Sequence, residues 1–442
     1  MGHTVITFLG VNPQEVDYEY QGKTYTGKVF AEALVQCLKF DRMLVLTTPE
    51  AKEKTFPLLQ KYGDSRIQEV PIPTGKTEAE MWEIFDAVIR HVPESEEVTF
   101  DITHGLRSIP FLVFLFAAYL QSAKQVQIRA ILYGALEIGV ISEETKRKRA
   151  PVVDLSSFAT MLRWINAADQ FVQTGNASRL ANLLKQRKAA ETLEQISEAA
   201  FLCQPITLME KAAELRPNLE AAAQSFKITS QPFSVLSERI LETFEAFGLK
   251  NPLNNYGEFL EREWQLICWY HDHGQLIQAL TLTREFLIDV VNYRLEQRID
   301  LEKDKRQTME RALSGLSQLR IARHKAGKKE AQAHSDPEEA STNRVSSPDD
   351  LNRYGRRIYD EWPEEWENIA ELYDEISQVR NQLNHAQHQV ESMKLQKIKP
   401  KAEKIIKGLQ TLLENWRLIS FPSEASSACV STPSSVNSPS PT

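Results

Sequence analysis

The sequence predicts an α/β domain with a mostly parallel sheet, followed by a helical connector and a second domain that is all-helical. Up to about residue 150, short hydrophobic runs alternate with amphipathic runs. From Ser156 onward, apolar residues recur at helical spacing. A chain of 442 residues is also too long for a single core, so two or three domains are expected.

Five buried strands are predicted in the α/β domain: Val5–Leu9, Met43–Thr47, Ile67–Ile72, Glu97–Ile102 and Val126–Tyr133. Helices are expected between them, at Lys28–Leu38, Glu50–Tyr62, Glu78–Val92 and Pro110–Gln121. Strands that are hydrophobic along their length and alternate with helices are typical of a parallel sheet covered on both faces. The charged run Glu143–Arg149 is interpreted as a hairpin or linker.

Composition limits the possible functions. With 42% hydrophobic and 25% charged residues, the chain resembles an ordinary globular protein. The net charge of −8 argues against a general nucleic-acid coat but allows a local basic groove. The four cysteines form no CxxC pair, which predicts no zinc site. Because no signal peptide is recognised and the apolar run Ile109–Leu120 is too short to span a bilayer, a cytoplasmic location is expected.

Small and polar residues follow the predicted strands. Because ligands bind off the carboxyl ends of the strands in such sheets, these residues are the candidate ligand site. They are Gly10, Thr47, Thr74, Gly75, Thr103, His104, Gly105, Arg107, Ser108, Tyr133 and Gly134.

The stretch DITHGLRSIP is the most informative part of this set. Gly105 permits a tight turn, Ser108 is a natural N-cap, and Pro110 suits the first turn of a helix. A helix N-terminus beside Arg107 predicts an anion site, with phosphate as the obvious ligand. Alternatively, Thr, Gly and Ser occur in βα turns for backbone reasons alone. There is no GxGxxG or Walker motif, which disfavours dinucleotide redox chemistry and ATP hydrolysis.

A second candidate site lies on a predicted amphipathic helix, Glu371–Val390. It carries Arg380, Asn381 and His385, a set suited to metal-independent RNA cleavage by the substrate's own 2′-hydroxyl. Histidine can transfer the proton, and an arginine can stabilise the charge on the phosphoryl oxygens. Arg380 and His385 lie about 140° apart around one helix, so the arginine must reach across or meet the histidine of a second copy. The alternative interpretation is an ordinary solvated helix face.

The predicted domain organisation has four parts. Residues 1–155 form the α/β domain, and residues 156–254 form the helical connector. The second helical domain covers residues 255–420, and residues 421–442 are predicted to be a disordered tail. A disordered insertion is expected at about 325–350, where the sequence is polar and lacks periodicity.

Four segments occur in an order that is typical of one family: FDITHGLRSIP, YGALE (Tyr133–Glu137), WINAADQF (Trp164–Phe171) and RNQLNH. In these segments the chain resembles the CRISPR-associated type III accessory ribonucleases, which have a Rossmann-like CARF domain followed by a HEPN domain. The resemblance implies that the α/β domain binds cyclic oligoadenylate and that the chain forms a homodimer or a higher even oligomer. It places Thr103, His104, Gly105 and Arg107 in the ligand-contacting loop, and it matches Arg380, Asn381 and His385 to the HEPN pattern.

The expected function is therefore a cyclic oligoadenylate-activated endoribonuclease that cleaves single-stranded RNA without a metal in type III CRISPR antiviral defence. The resemblance implies no catalytic cofactor, with cyclic oligoadenylate acting as an allosteric activator. The alternative is a non-enzymatic cyclic-nucleotide sensor whose helical domain binds a partner. A DNA-directed effector is disfavoured because the helical C-terminal part offers no cluster of metal-binding carboxylates.

Overall fold

The computed structural model describes residues 2–104, 108–184, 186–224, 230–330, 345–384 and 395–419. The chain divides into two compact units, Met1–Asn166 and Ala167–Thr442. Among the helices in the described ranges, none is both long and apolar enough to cross a membrane.

The first unit is built on nine strands in the described residues. They are β1 (His3–Phe8), β2 (Val16–Tyr20), β3 (Lys23–Gly27), β4 (Arg42–Thr47), β5 (Ile67–Pro71), β6 (Glu97–Asp101), β7 (Gln127–Gly134), β8 (Val140–Ile141) and β9 (Lys148–Asp154). The order in the sheet is β3-β2-β9-β7-β6-β1-β4-β5, and β8 pairs with β9.

The sheet is mixed but mostly parallel, which confirms the predicted α/β fold class. β1 runs parallel to β4 and β6, and the pairs β4–β5, β6–β7 and β2–β9 are also parallel. β9 is antiparallel to β7, and β2 is antiparallel to β3. β8 and β9 form the hairpin expected at the charged run Glu143–Arg149. The last two residues of that run already belong to β9, which begins at Lys148. The sequence did not indicate β2 and β3.

Helices cover both faces of this sheet. They are α1 (Phe30–Cys37), α2 (Pro49–Lys54), α3 (Pro57–Gln60), α4 (Glu78–His91) and α5 (Ile109–Ala123). All six residues of β1 are buried, and successive residues point to opposite faces. Ile6 packs in one core with Ile84 of α4 and Phe116 of α5, whereas Val5 packs in the other with Leu34 of α1. This two-sided burial explains the continuous hydrophobic strands.

The rest of the chain is helical, and the boundary between the two units falls within α6. The helices are α6 (Ser156–Thr174), α7 (Ser178–Leu183), α8 (Arg187–Phe201), α9 (Pro205–Ala213), α10 (Leu215–Gln224), α11 (Ser230–Phe244), α12 (Tyr256–Asp272), α13 (Leu276–Glu296), α14 (Lys303–Glu330), α15 (Arg353–Glu361), α16 (Trp366–Asn384) and α17 (Leu395–Trp416). The predicted motif helix corresponds to α16.

The borders of the predicted disordered insertion differ from the expectation. α14 continues to Glu330, and Asp350 closes a capping box with Ser347. Its carboxylate accepts hydrogen bonds from the Ser346 and Ser347 amides, at 3.0 and 2.8 Å. Residues 331–344, like the predicted tail, lie outside the described residues. Local capping therefore orders a polar segment that has no hydrophobic periodicity.

An aromatic cage ties the end of α13 to that of α17. The Arg294 guanidinium lies 4.5 Å from the centre of the Trp362 ring and 4.1 Å from that of Trp416. Its Nη1 atom also lies 2.5 Å from the Glu365 carboxylate, which accepts a hydrogen bond from Trp416 Nε1 at 3.1 Å. Arg294 thus combines a cation–π sandwich with an ion pair.

Candidate functional site

Asp101 connects three strand ends at the candidate ligand site. It is fully buried at the end of β6 and accepts hydrogen bonds from Thr7 Oγ1 at 2.6 Å and the Thr103 amide at 2.7 Å. Thr103 Oγ1 accepts in turn from the Gly134 amide at the end of β7, at 2.8 Å. Burial raises the pKa of Asp101 to about 6, although the bonds from Thr7 and Thr103 oppose the shift. This network fixes the start of the Thr103–Ser108 loop.

His104 is turned toward the N-terminus of α1. The Phe30 amide donates to its Nε2 atom at 3.1 Å, and the Tyr18 hydroxyl lies 3.3 Å from the same atom. Phe30 is the first residue of α1, so the imidazole accepts from an amide that has no partner inside the helix. Burial lowers the pKa of His104 to about 4 against the opposing charge of Glu137, which keeps the ring neutral near pH 7. Its proton therefore lies on Nδ1.

Two glycines at the strand ends are closely packed against the side chains of the site. A Cβ atom at Gly10 would lie 3.2 Å from the Cβ of His104. At Gly134 it would lie 2.9 Å from a ring carbon of Tyr18 and 3.2 Å from the Thr103 methyl. These residues therefore shape the site by having no side chain.

Tyr133 presents its hydroxyl at the rim of the site, next to Glu137. The half-buried phenol donates a hydrogen bond to the exposed carboxylate of Glu137. That bond raises the pKa of Tyr133 to about 12 and lowers the pKa of Glu137. A neutral donor and a negative charge thus lie together where the sequence predicted only a ligand contact.

The predicted threonines on the neighbouring strands already have partners within the protein. Thr47 is buried and donates to Glu69 at 3.0 Å, and Thr74 donates to Glu80 at 3.2 Å. Gly75 adopts a φ of +69°, a left-handed conformation that favours glycine. The structure thus gives the two threonines roles in holding their own loops.

The turn before α5 differs from the prediction in one respect. Ser108 occupies the N-cap position, and Pro110 lies in the first turn, as expected. However, the Ser108 side chain does not cap the helix, because its hydroxyl contacts the sulfur of Met81 at 3.7 Å and its backbone is helical. Gly105 and Arg107 lie outside the described residues.

Sequence reasoning missed Asp101, Tyr18 and Glu137 as parts of this site. Asp101 had a recognisable signal, because it is the charged residue of a hydrophobic strand that directly precedes the loop. Tyr18 had no recognisable signal, since it lies on β2, which the sequence did not indicate. It lies near the site because β2 pairs with β9 and β9 pairs with β7.

The candidate catalytic motif lies at the end of α16. Arg380 is half-buried, and its Nε atom is buried without a hydrogen-bond partner within the described ranges. Asn381, the next residue, is exposed. His385 lies outside the described residues, so the structure brings together two of the three predicted residues. Arg380 and the neighbouring Asn381 carry N–H donors of the kind that bind a phosphate group.

α16 is fixed by packing on one face and by polar pairs. Ile376 and Val379 are buried, and α16 packs against α13, α14 and α17. Each of these helices contributes one polar pair: Arg284 to the Tyr373 hydroxyl at 3.3 Å, Arg320 to Glu371 at 2.6 Å and Lys404 to Glu375 at 2.6 Å. The backbone that carries Arg380 is therefore anchored on three sides.

A buried acidic cluster joins α12, α13 and α14. Arg306 pairs with Asp289 at 2.5 Å and with Glu285 at 2.7 Å. Burial and the charge of Asp289 raise the pKa of Glu263 well above its usual value, and Glu263 is 1% exposed. One of its carboxyl oxygens has no hydrogen-bond partner in the described part of the chain. No sequence pattern indicated this cluster.

The fold and these sites define a two-unit protein, with a polar strand-end site in an α/β unit and, on a helical unit, an arginine whose Nε atom has no hydrogen-bond partner among the described residues. Residues 160–251 match the family model for the second domain of CRISPR-associated protein MJ1674. CRISPR-associated protein MJ1674 of Methanocaldococcus jannaschii is 34% identical over 156 residues. The match covers 34% of this chain and 23% of the relative, so it spans about a quarter of that protein's length. These matches support the CRISPR-associated family that the sequence motifs resemble.

Among solved structures, the chain is similar to Csm6 of Enterococcus italicus bound to cyclic hexa-2′-fluoro-hexa-dAMP. The TM-score is 0.45 at 10% sequence identity, and the alignment covers 95% of each chain.

Proposed function

We propose that this chain is a cyclic oligoadenylate-activated endoribonuclease that cleaves single-stranded RNA without a metal, in type III CRISPR antiviral defence. The observation that carries the proposal is Arg380, whose buried Nε atom has no partner among the described residues and which is followed by the exposed Asn381. Leaving a buried cationic donor unpaired costs free energy, so its persistence supports a role for an external anion. The matches to MJ1674 support the CRISPR-associated context.

In the proposed reaction, the 2′-hydroxyl of the RNA attacks the adjacent phosphorus and the bond to the 5′-oxygen of the next nucleotide breaks. The 2′-hydroxyl loses its proton and the departing 5′-oxygen gains one, which gives a 2′,3′-cyclic phosphate and a 5′-hydroxyl, and His385 takes part in this proton transfer. Arg380 stabilises the negative charge that develops on the phosphoryl oxygens, and Asn381 holds the phosphate in register. In a dimer, each Arg380 can meet the His385 of the second copy, which removes the problem of their separation around one helix.

The activator is proposed to bind at the strand ends of two α/β units. Because His104 is neutral and its Nε2 accepts from the Phe30 amide, it offers only the Nδ1 proton to a ligand. The phosphate charge is then met by backbone amides of the loop and by Arg107, while Tyr133 lies at the rim. Activation by about 10⁴-fold requires the ligand to favour the active state by about 5.5 kcal/mol.

The test is incubation of the full chain with labelled single-stranded RNA and each cyclic oligoadenylate, in EDTA. We expect cleavage only with a matching activator, and Arg380→Ala lowers its rate by about 10²–10³-fold with unchanged activator affinity. Arg298→Ala, which removes an exposed arginine paired with Asp300 at 3.5 Å, is the control and retains full activity. Activator binding without any cleavage would favour the non-enzymatic sensor, and cleavage that is lost in EDTA would contradict the metal-independent mechanism.

A further inference from the structure

We infer that Glu137 and Tyr133 recognise an adenine base of the activator, with the Glu137 carboxylate accepting a hydrogen bond from the exocyclic amino group. This inference rests on the proposed function and deepens it, because it names the part of the site that distinguishes adenine from other bases. An exposed carboxylate beside strand ends that are proposed to bind a polyanion requires a reason, since its charge has the same sign as the phosphates.

Glu137 lies within the candidate ligand site and is ionised there. It follows shortly after Gly134, whose amide donates to Thr103 at 2.8 Å. Its charge acts on the buried His104, where it opposes the fall in the pKa of the imidazole. The hydrogen bond from Tyr133 lowers the pKa of Glu137, which keeps the carboxylate charged near pH 7. Because this charge repels phosphates, a ligand that contacts Glu137 must present a neutral hydrogen-bond donor to it.

The backbone that carries these two side chains is anchored in both cores of the α/β unit. The Tyr133 ring packs against the core beneath α4 and α5, whereas Leu136, the neighbour of Glu137, packs against the core beneath α1. Between them, the Ala135 amide donates to the Pro151 carbonyl of β9 at 2.9 Å. An acceptor and a donor that are held side by side in this way can select one edge of a ligand, because little ordering is left for the binding step.

Adenine matches this pair better than the other neutral donor of the activator, the ribose 2′-hydroxyl. The adenine edge presents its amino group next to a ring nitrogen that accepts a hydrogen bond. Glu137 and Tyr133 offer the complementary pattern, because the phenol proton can turn from the carboxylate to the ring nitrogen. Their oxygens are hydrogen-bonded to each other and so lie side by side, which suits two adjacent nitrogens better than the single oxygen of a hydroxyl group.

The experiment measures by calorimetry how the full chain binds a cyclic oligoadenylate and a ring of the same size in which hypoxanthine replaces adenine. Hypoxanthine has a carbonyl oxygen in place of the amino group and would set an acceptor against the carboxylate. We expect wild type to prefer the adenine ring by about tenfold to a hundredfold. In Glu137→Gln, the amide can present either its oxygen or its NH₂ group, so the two rings should bind within about threefold of each other.

Glu144→Gln is the matched control, because it removes one negative charge from an exposed residue between β8 and β9 of the same hairpin. It should change the affinity for both rings by the same factor and leave their ratio as in wild type. Tyr133→Phe keeps the packing of the ring and removes the donor to the ring nitrogen. It should lower the affinity for the adenine ring by about three- to tenfold.

A preference for adenine that persists in Glu137→Gln would overturn the inference. The same holds if Glu137→Gln still rejects hypoxanthine but no longer distinguishes the adenine ring from its 2′-deoxy analogue, since the carboxylate would then bind the ribose. Binding of the adenine ring without RNA cleavage contradicts the proposed ribonuclease alone, and the ratio of the two affinities still decides the role of Glu137. If wild type binds no adenine ring, the proposed activator and this inference fail together.

Discussion

The Asp101→Asn substitution tests the buried carboxylate at the centre of the candidate ligand site. Asp101 is 0% exposed, and burial raises its pKa from 3.8 to about 6. The folded state therefore binds a proton more tightly than the unfolded state. As the pH rises from about 4 to about 6, Asp101 loses its proton in the unfolded state but keeps it in the folded state. The free energy of unfolding therefore falls progressively over this range. The full loss is about 3 kcal/mol, because each tenfold difference in proton affinity between the two states corresponds to about 1.4 kcal/mol.

Asparagine removes this cost while keeping the geometry. Its carbonyl oxygen can accept from the Thr103 amide, and its NH₂ group can donate to Thr7 Oγ1, which then acts as acceptor. We expect Asp101→Asn to stabilise the α/β unit by up to about 3 kcal/mol at pH 7.5 and by about 1 kcal/mol at pH 4.5. Hydrogen exchange of the full chain, followed in peptides from β1 and β6 with both proteins at the same pH, measures the difference.

Asp17→Asn is a control with the opposite sign. Asp17 is also buried in the sheet, but hydrogen bonds from Thr26 at 2.7 Å and from Arg147 outweigh burial and lower its pKa. Its charge therefore stabilises the fold above the unfolded pKa, so Asp17→Asn destabilises the α/β unit at pH 7.5 and the effect fades as the pH falls below about 4. If Asp101→Asn proved less stable than wild type at pH 7.5, the assigned cost of burying this carboxylate would be refuted.

Two further substitutions test packing in each unit. Gly134→Ala places a methyl group 2.9 Å from the Tyr18 ring and should destabilise the α/β unit by about 1–3 kcal/mol, measured by urea unfolding. The control is Gly257→Ala, where the new methyl group has no contact below 3.4 Å, and it should be neutral or slightly stabilising. Arg294→Lys loses the planar stacking between two tryptophan rings and should cost the helical unit about 1–2 kcal/mol. Equal stability of either variant and wild type would contradict the corresponding contact.

The parallel core of the sheet could be predicted from sequence because its strands are buried on both faces. Four consecutive hydrophobic residues form the middle of β4, and β1 contributes Val5, Ile6 and Phe8, which is typical of strands buried on both faces. β3 lies at the edge of the sheet, and Lys23 and Thr24 are exposed, so it lacks this signal. Its hairpin partner β2 is recognisable only once its parallel pairing with β9, more than a hundred residues later, is known.

The sequence could predict that these strand ends lie side by side, but not the contacts that each residue makes there. The prediction that residues at these strand ends lie together agrees with the hydrogen bond from the Gly134 amide to Thr103. Hydrogen-bond partners depend on backbone groups brought together by folding. The Phe30 amide that binds His104 is 74 residues away in the chain, and the sequence contains no local trace of the pairing.

These partners set the electrostatics of the site. Burial and the Phe30 amide keep His104 neutral at pH 7, so it supplies no positive charge to an anion. Glu137 adds a negative charge at the rim, and its hydrogen bond from Tyr133 lowers its pKa and so keeps it ionised. If cyclic oligoadenylate binds here as proposed, its countercharge has to come from Arg107, from helix N-terminal amides or from a second copy of the loop. Activator affinity should then depend on Arg107 far more than on the protonation of His104.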